Sequence, residues 1–188
     1  MPHFTRAELE SVRDVEVPDL VGDGVRLLFV GINPGLWTAA VQTHFAHPAN
    51  RFYPALLAAG IIERRVDPAA GMTDADRAHF LDRGLGITNL VRRATARADE
   101  LSVAELRDGG VRLVEHVAQW RPTVVAIAGI TAYRSAFGVR AAVAGRQPEP
   151  LAGAELWVVP NPSGLNAHET VASLATAYRA AAEAADVL

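Results

Sequence analysis

With 188 residues, half of them hydrophobic, the chain is long enough to build a core of its own, and no apolar run is long enough to cross a bilayer. It contains no cysteine, which excludes disulfides, thiolate metal sites and cysteine nucleophiles, and no lysine, which excludes Schiff-base chemistry through a lysine amine. The net charge of −3 argues against a protein held to a polyanion by bulk charge, and leaves Arg51, Arg92, Arg93 and Arg97 either as a local basic face or as scattered solvated groups.

The first residues are charged and lack the apolar stretch of a secretory signal, so a cytoplasmic protein is expected. Thr5 is placed to cap a short helix over 5–12, with Glu8 completing a capping box. Pro18 to Gly24 reads as a loop. Val25 to Val30 is, after Arg26, a short continuous apolar run closed by Gly31, the pattern of a strand buried on both faces. Residues 31–50 carry glycines, prolines, histidines and aromatics without a clear period, so a long functional loop is expected there.

A helix is predicted over 51–59, capped by Asn50 and stopped by Gly60, and another over 74–83, capped by Thr73 and followed by Gly84. Gly86 to Val91 reads as the second strand. Ser102 and Glu105 form the capping box of a long helix reaching Trp120, with Pro122 as the break. Thr123 to Ala128 is the third strand, Thr131 to Phe137 a short helix, Glu155 to Val159 the fourth strand and Glu169 to Ala184 the last helix. Residues 139–153 read as a surface excursion. This alternation predicts an α/β fold, a three-layer α/β/α sandwich with a mainly parallel central sheet of about four strands. Neither a repeat nor a linker divides residues 1–188, so a single domain is expected.

In such sheets ligands bind beyond the carboxyl ends of the strands. Two predicted strands end in unusual sequences, Gly31-Ile32-Asn33-Pro34-Gly35 and Asn161-Pro162-Ser163-Gly164-Leu165-Asn166-Ala167-His168. In the first, the glycines permit close backbone approach and Pro34 stiffens the turn. Asn33 then either ties the turn together or aims an amide into a cleft, where its carbonyl oxygen can orient a water. The lysine and spacing of a phosphate-binding loop are missing. Leu165 is an apolar side chain in a polar loop, either a plug that anchors the loop or a wedge. Phe45 is either core or a stacking platform. His44 and His47 are too few for a zinc site without further ligands, so no metal and no cofactor is expected.

These residues resemble the mismatch-specific uracil-DNA glycosylase family, which includes the thymine-DNA glycosylases. The resemblance runs from Gly31-Ile32-Asn33-Pro34-Gly35 through Phe45-Ala46-His47-Pro48-Ala49-Asn50-Arg51-Phe52 and Gly86-Ile87-Thr88-Asn89-Leu90-Val91 to Asn161-Pro162-Ser163-Gly164-Leu165. It implies that Asn33 is the catalytic asparagine that places the attacking water. It implies that Phe45 stacks on an everted base and that the backbone around Ile32 and Phe45 bonds the pyrimidine edge, in a site completed by Gly31, Gly35 and Thr38. It also implies that Gly164, Leu165 and Asn166 form a wedge pushed into the DNA stack, with Asn161 and Ser163 on the DNA side and Ser163 a phosphate contact.

The function so implied is that of a monofunctional hydrolase of N-glycosyl bonds. It would excise uracil, with related damaged pyrimidines such as etheno-cytosine as further candidates, from mismatched double-stranded DNA and leave an abasic site. The expected partner is DNA with a mispaired or damaged pyrimidine, with no membrane; the expected state is a monomer associated with the nucleoid. Where some relatives of the family place an arginine after the wedge leucine, Asn166 and Ala167 follow here, which weakens the case for reading an opposite guanine. Trp37 and Thr38 either exclude a thymine methyl group or pack the loop. The long basic extensions of the animal thymine enzymes are absent from this sequence, so modest, salt-sensitive DNA affinity is expected. Two other readings stand beside this one, a damaged-base binding module with little turnover and a hydrolase of free nucleosides.

Overall fold

The computed structural model describes residues 2–188. In chain order the elements are α1 (Arg6–Glu10), β1 (Leu27–Gly31), α2 (Leu36–Val41), α3 (Phe52–Ala58), α4 (Asp74–Asp82), β2 (Leu85–Asn89), α5 (Val103–Trp120), β3 (Val124–Ala128), α6 (Ile130–Phe137), β4 (Gly145–Arg146), β5 (Glu155–Val159) and α7 (Val171–Ala184). The strands form one sheet in the order β2-β1-β3-β5-β4, parallel except for the two-residue edge strand β4, which runs antiparallel to β5.

The apolar run of β1 is buried along its whole length because alternate residues enter different layers. Leu27 and Phe29 face a core shared with Phe52 and Leu56 of α3, Phe80 of α4 and Leu174 and Tyr178 of α7. Leu28 and Val30 face the opposite core, shared with Leu113 and Val117 of α5 and Ala132, Tyr133 and Ala136 of α6. β3 divides in the same way, with Ala126 on the first side and Val125 and Ile127 on the second. The result is the three-layer α/β/α sandwich with a mainly parallel sheet.

Several expectations need adjusting. Residues 31–50 contain α2, whose N-cap is Gly35 with no side-chain bond, so local sequence carries little sign of it. Leu36, Thr38 and Ala39 are buried, and Leu36 and Ala39 form a third small core with Val17 and Ala94. The sheet, expected with about four strands, has five, the fifth being β4 from the excursion over 139–153. Asn50 does bond into the start of α3, accepting from the Phe52 N–H at 2.9 Å, but the N-cap position belongs to Arg51. The capping boxes Thr5–Glu8 and Ser102–Glu105 form as read, and Thr73 is completed by Asp76.

Two adjacent glycines in the middle of α5 have a specific task. A Cβ on Gly109 would lie 2.2 Å from the Leu90 carbonyl oxygen, and one on Gly110 would lie 3.0 Å from that of Ala136. α5 can therefore press against the segment that follows β2, and that segment builds the site.

Candidate active site

The loop after β1 runs beside the continuation of β2. The Leu90, Val91 and Thr95 N–H groups donate to the carbonyls of Gly31, Ile32 and Pro34 at 2.9, 2.9 and 3.1 Å. Residues 90–95 thus clamp the Asn33 turn from one side. The Asn33 Nδ2 donates to the Thr95 Oγ1 at 2.7 Å, to the Arg93 carbonyl at 3.1 Å and to the Pro34 carbonyl at 3.1 Å. All three are acceptors, so the amide has one orientation. Asn33 is half-buried; among the described residues no group donates a hydrogen bond to its Oδ1, which is not enclosed and so reaches solvent. The amide ties the turn and also presents an oriented acceptor.

Ion pairs hold the clamp in turn. The Arg93 guanidinium donates to Glu105 at 2.6 Å and to Asp14 at 2.9 Å. The bond from Arg93, together with the backbone and hydroxyl of Ser102, holds the Glu105 carboxyl down at about 2. Arg92 pairs with Asp19 at 3.4 Å and Arg97 with Asp99 at 2.7 Å. Among the four arginines weighed as a basic face, Arg92, Arg93 and Arg97 are therefore matched by carboxylates, and the scattered-group reading holds for them.

Gly31, Phe45 and Asn89 meet at the end of the sheet. Gly31 and Asn89 are paired across β1 and β2, and a Cβ on Gly31 would lie 2.3 Å from Asn89 Oδ1 and 3.2 Å from Phe45 Cζ. Phe45 is half-buried, with φ of 55°, an unusual conformation for an aromatic residue that the surrounding structure must impose. Its ring stacks on Phe52, centroids 4.1 Å apart. Phe52 and Tyr53 are core residues, as their helix position suggested, and the Tyr53 hydroxyl donates to the His44 carbonyl at 3.0 Å. Among the described residues, neither the Ile32 nor the Phe45 N–H makes a hydrogen bond.

His44 is buried and bridges Pro18 and Asn89. Its Nε2 lies 2.9 Å from the Pro18 carbonyl, which only an N–H can satisfy, so Nδ1 accepts from Asn89 Nδ2 at 3.1 Å. Burial holds the ring below its ordinary titration range. This neutral tautomer fixes the Asn89 amide, with its oxygen over Gly31. His47 is exposed, and its Nδ1 accepts from the Ala49 N–H at 3.1 Å. Thr38 is buried and its hydroxyl accepts from the Ala46 N–H at 3.3 Å, which braces the Phe45 segment from beneath. Gly35 caps α2 and is exposed. Trp37 packs the loop, edge-on to Phe4 and with its N–H on the Ala69 carbonyl.

The loop after β5 supplies the second wall. Asn161 Oδ1 accepts from the Ser163 N–H at 3.0 Å, Ser163 Oγ from the Leu165 N–H at 3.3 Å, and Asn166 Nδ2 donates to the Asn161 carbonyl at 3.0 Å. Gly164 lies so close to Ala49 that a Cβ would meet its carbonyl oxygen at 2.7 Å. Leu165 is 89% exposed, so it cannot be the plug that anchors the loop. Asn89, Thr95 and the Arg93 carbonyl are the site groups that motif reading missed. A usable signal existed for Asn89, which ends a strand predicted to lie beside Gly31.

The model of one protein family, the uracil DNA glycosylase superfamily, matches residues 18–184. The chain belongs to that superfamily. Its members are DNA glycosylases, hydrolases of N-glycosyl bonds. A solution NMR structure from Methanosarcina acetivorans, of a protein with a provisional uracil DNA glycosylase assignment, superposes with a TM-score of 0.58 and 15% identity, covering 88% of this chain and 98% of that one. At that identity the likeness bears on the fold of this superfamily member alone.

Proposed function

We propose that residues 1–188 form one monofunctional DNA glycosylase domain of the mismatch-specific type, acting as a monomer on double-stranded DNA in the cytoplasm. It excises uracil, and related damaged pyrimidines such as etheno-cytosine, from a mispair. The observation that carries the reading is the Asn33 amide, its nitrogen engaged by three acceptors and its oxygen open to water.

The chemistry follows from these groups. Cleavage of the glycosidic bond builds positive charge on the sugar and negative charge on the departing pyrimidine. The Ile32 and Phe45 N–H groups, which make no hydrogen bond among the described residues, suit that anion. The Phe45 ring, backed by Phe52, offers a face for the everted base, and the Asn89 amide lies at its edge. A water accepted by Asn33 Oδ1 needs direction more than deprotonation, because the sugar cation forms early; such placement contributes on the order of 10²–10⁴ in rate. The target carbon is out of reach inside a duplex, so the base must flip. Leu165 is exposed as an inserted wedge requires, and flipping, at a cost of a few kcal/mol, is easiest at a mispair. The absence of lysine accords with an abasic product left uncleaved.

The test is a single-turnover assay on duplexes carrying U·G, U·A, etheno-cytosine·G or T·G, scored for alkali-labile sites. Uracil release faster from U·G than from U·A supports the reading. Retention of the lesion duplex without base release would leave a damage-binding module instead.

A further inference from the structure

We propose that Arg51 is a positioning residue for the wedge, fastening the arm that carries Phe45 to the loop that carries Leu165; the proposal rests on the glycosylase reading above. Arg51 lies at the N-cap of α3, six residues after Phe45. Its Nη2 donates to the Ser163 carbonyl at 2.5 Å and to the Asn166 carbonyl at 2.7 Å, and its Nη1 donates to the Glu169 carbonyl. Its own backbone N–H donates to the Pro162 carbonyl at 3.0 Å. One residue thus bonds four carbonyls spread over residues 162–169, two before Leu165 and two after it.

The choice of partners is informative. Among the described residues, no carboxylate lies within ion-pair distance of Arg51, unlike Arg92, Arg93 and Arg97. Its Nε is buried without a partner, so the side chain is placed by the carbonyls at the fork and not by a carboxylate. The loop needs such a brace. It has no regular secondary structure, its internal bonds are short-range, and its one large apolar side chain points into solvent. A leucine forced into a base stack meets resistance, and an unbraced loop would yield instead of the stack. With Gly164 packed on Ala49, the brace also makes the pocket arm and the wedge one body, so that eversion and capture of the base are coupled.

Arg51→Met keeps the aliphatic stem and removes the donors, and Arg51→Lys keeps the charge but not the planar fork. With enzyme in excess over a uracil oligonucleotide, Arg51→Met is expected to lower the excision rate at least about tenfold more on U·G duplex than on the same strand unpaired, where no stack must be opened. Leu165→Ala gives the same selective loss, and the double variant falls within about twofold of either single one, because both remove one action. Arg51→Lys gives a smaller duplex-selective loss, and it serves if the methionine variant does not fold.

Equal losses on both substrates would mark a structural role only, and strictly additive losses would mark two unrelated ones; either overturns the proposal. So would weaker DNA binding with a flatter salt dependence at unchanged saturated rate, the behaviour of a phosphate contact. An active parent with Arg51 variants that match it sinks this inference alone, whereas a parent that releases no uracil from either substrate sinks the glycosylase reading on which it stands.

Discussion

The Thr95 hydroxyl accepts from the Asn33 amide at 2.7 Å while donating its own proton to the Arg97 carbonyl 2.7 Å away. Because that proton is engaged, the hydroxyl can only accept from Asn33, and the amide oxygen is turned toward solvent. Thr95→Val removes the acceptor at similar volume. Uracil excision is expected to fall about tenfold through kcat, with KM moved much less, and folding stability to fall by about 1 kcal/mol for one lost buried bond. Steady-state kinetics with a thermal melt check both; an unchanged kcat would show that Asn33 needs no such orientation.

Gly31→Ala places a methyl group where Asn89 Oδ1 and Phe45 Cζ now lie. Something at the end of β1 must move, and those two neighbours belong to the candidate site. Excision is expected to fall at least about tenfold while the variant stays folded, since small-to-large changes typically cost about 1–3 kcal/mol. Near-parental activity would place the base elsewhere.

Gly109→Ala separates stability from chemistry. Its Cβ would stand 2.2 Å from the Leu90 carbonyl oxygen, a backbone atom that cannot swing aside. Despite the better helix propensity of alanine, the variant is expected to be less stable by about 1–3 kcal/mol. Urea unfolding measures this, and a stabilised variant would contradict the packing described.

His44 links stability to pH. Burial lowers its folded-state pKa below the ordinary 6.5. Above that value both states are neutral and the residue has no effect. As pH falls below it, the unfolded chain takes up a proton that the native chain refuses, so stability declines down to the folded value. As pH falls below about 6.5, the parent should lose stability more steeply than His44→Gln. Parallel curves in urea titrations would show that His44 is not held neutral.

What could be read from the sequence was local, and what could not was brought together by the sheet. The boxes Thr5–Glu8 and Ser102–Glu105 span one turn each, so their residue types alone disclose them. β1 and β3 are apolar on both faces and stand out for that reason. α2 has six residues and a glycine cap, and β4 has two residues, too short for either to show a period. In the candidate site, Asn33 and Leu165 drew attention by their motifs. Thr95 and the Arg93 carbonyl lie 62 and 60 residues from Asn33, and only the parallel pairing of β1 with β2 brings them beside it. The arginines could not be sorted by spacing, because Asp14, Asp19 and Glu105, which match Arg93 and Arg92, are themselves placed by the fold.

The most direct test of the account is single-turnover excision from a U·G duplex by the parent and by Asn33→Ala, with duplex affinity measured alongside. The parent is expected to release uracil, and the variant to lose at least about a hundredfold in rate while its affinity stays within a few-fold of the parent's. Equal rates for the two proteins would contradict this.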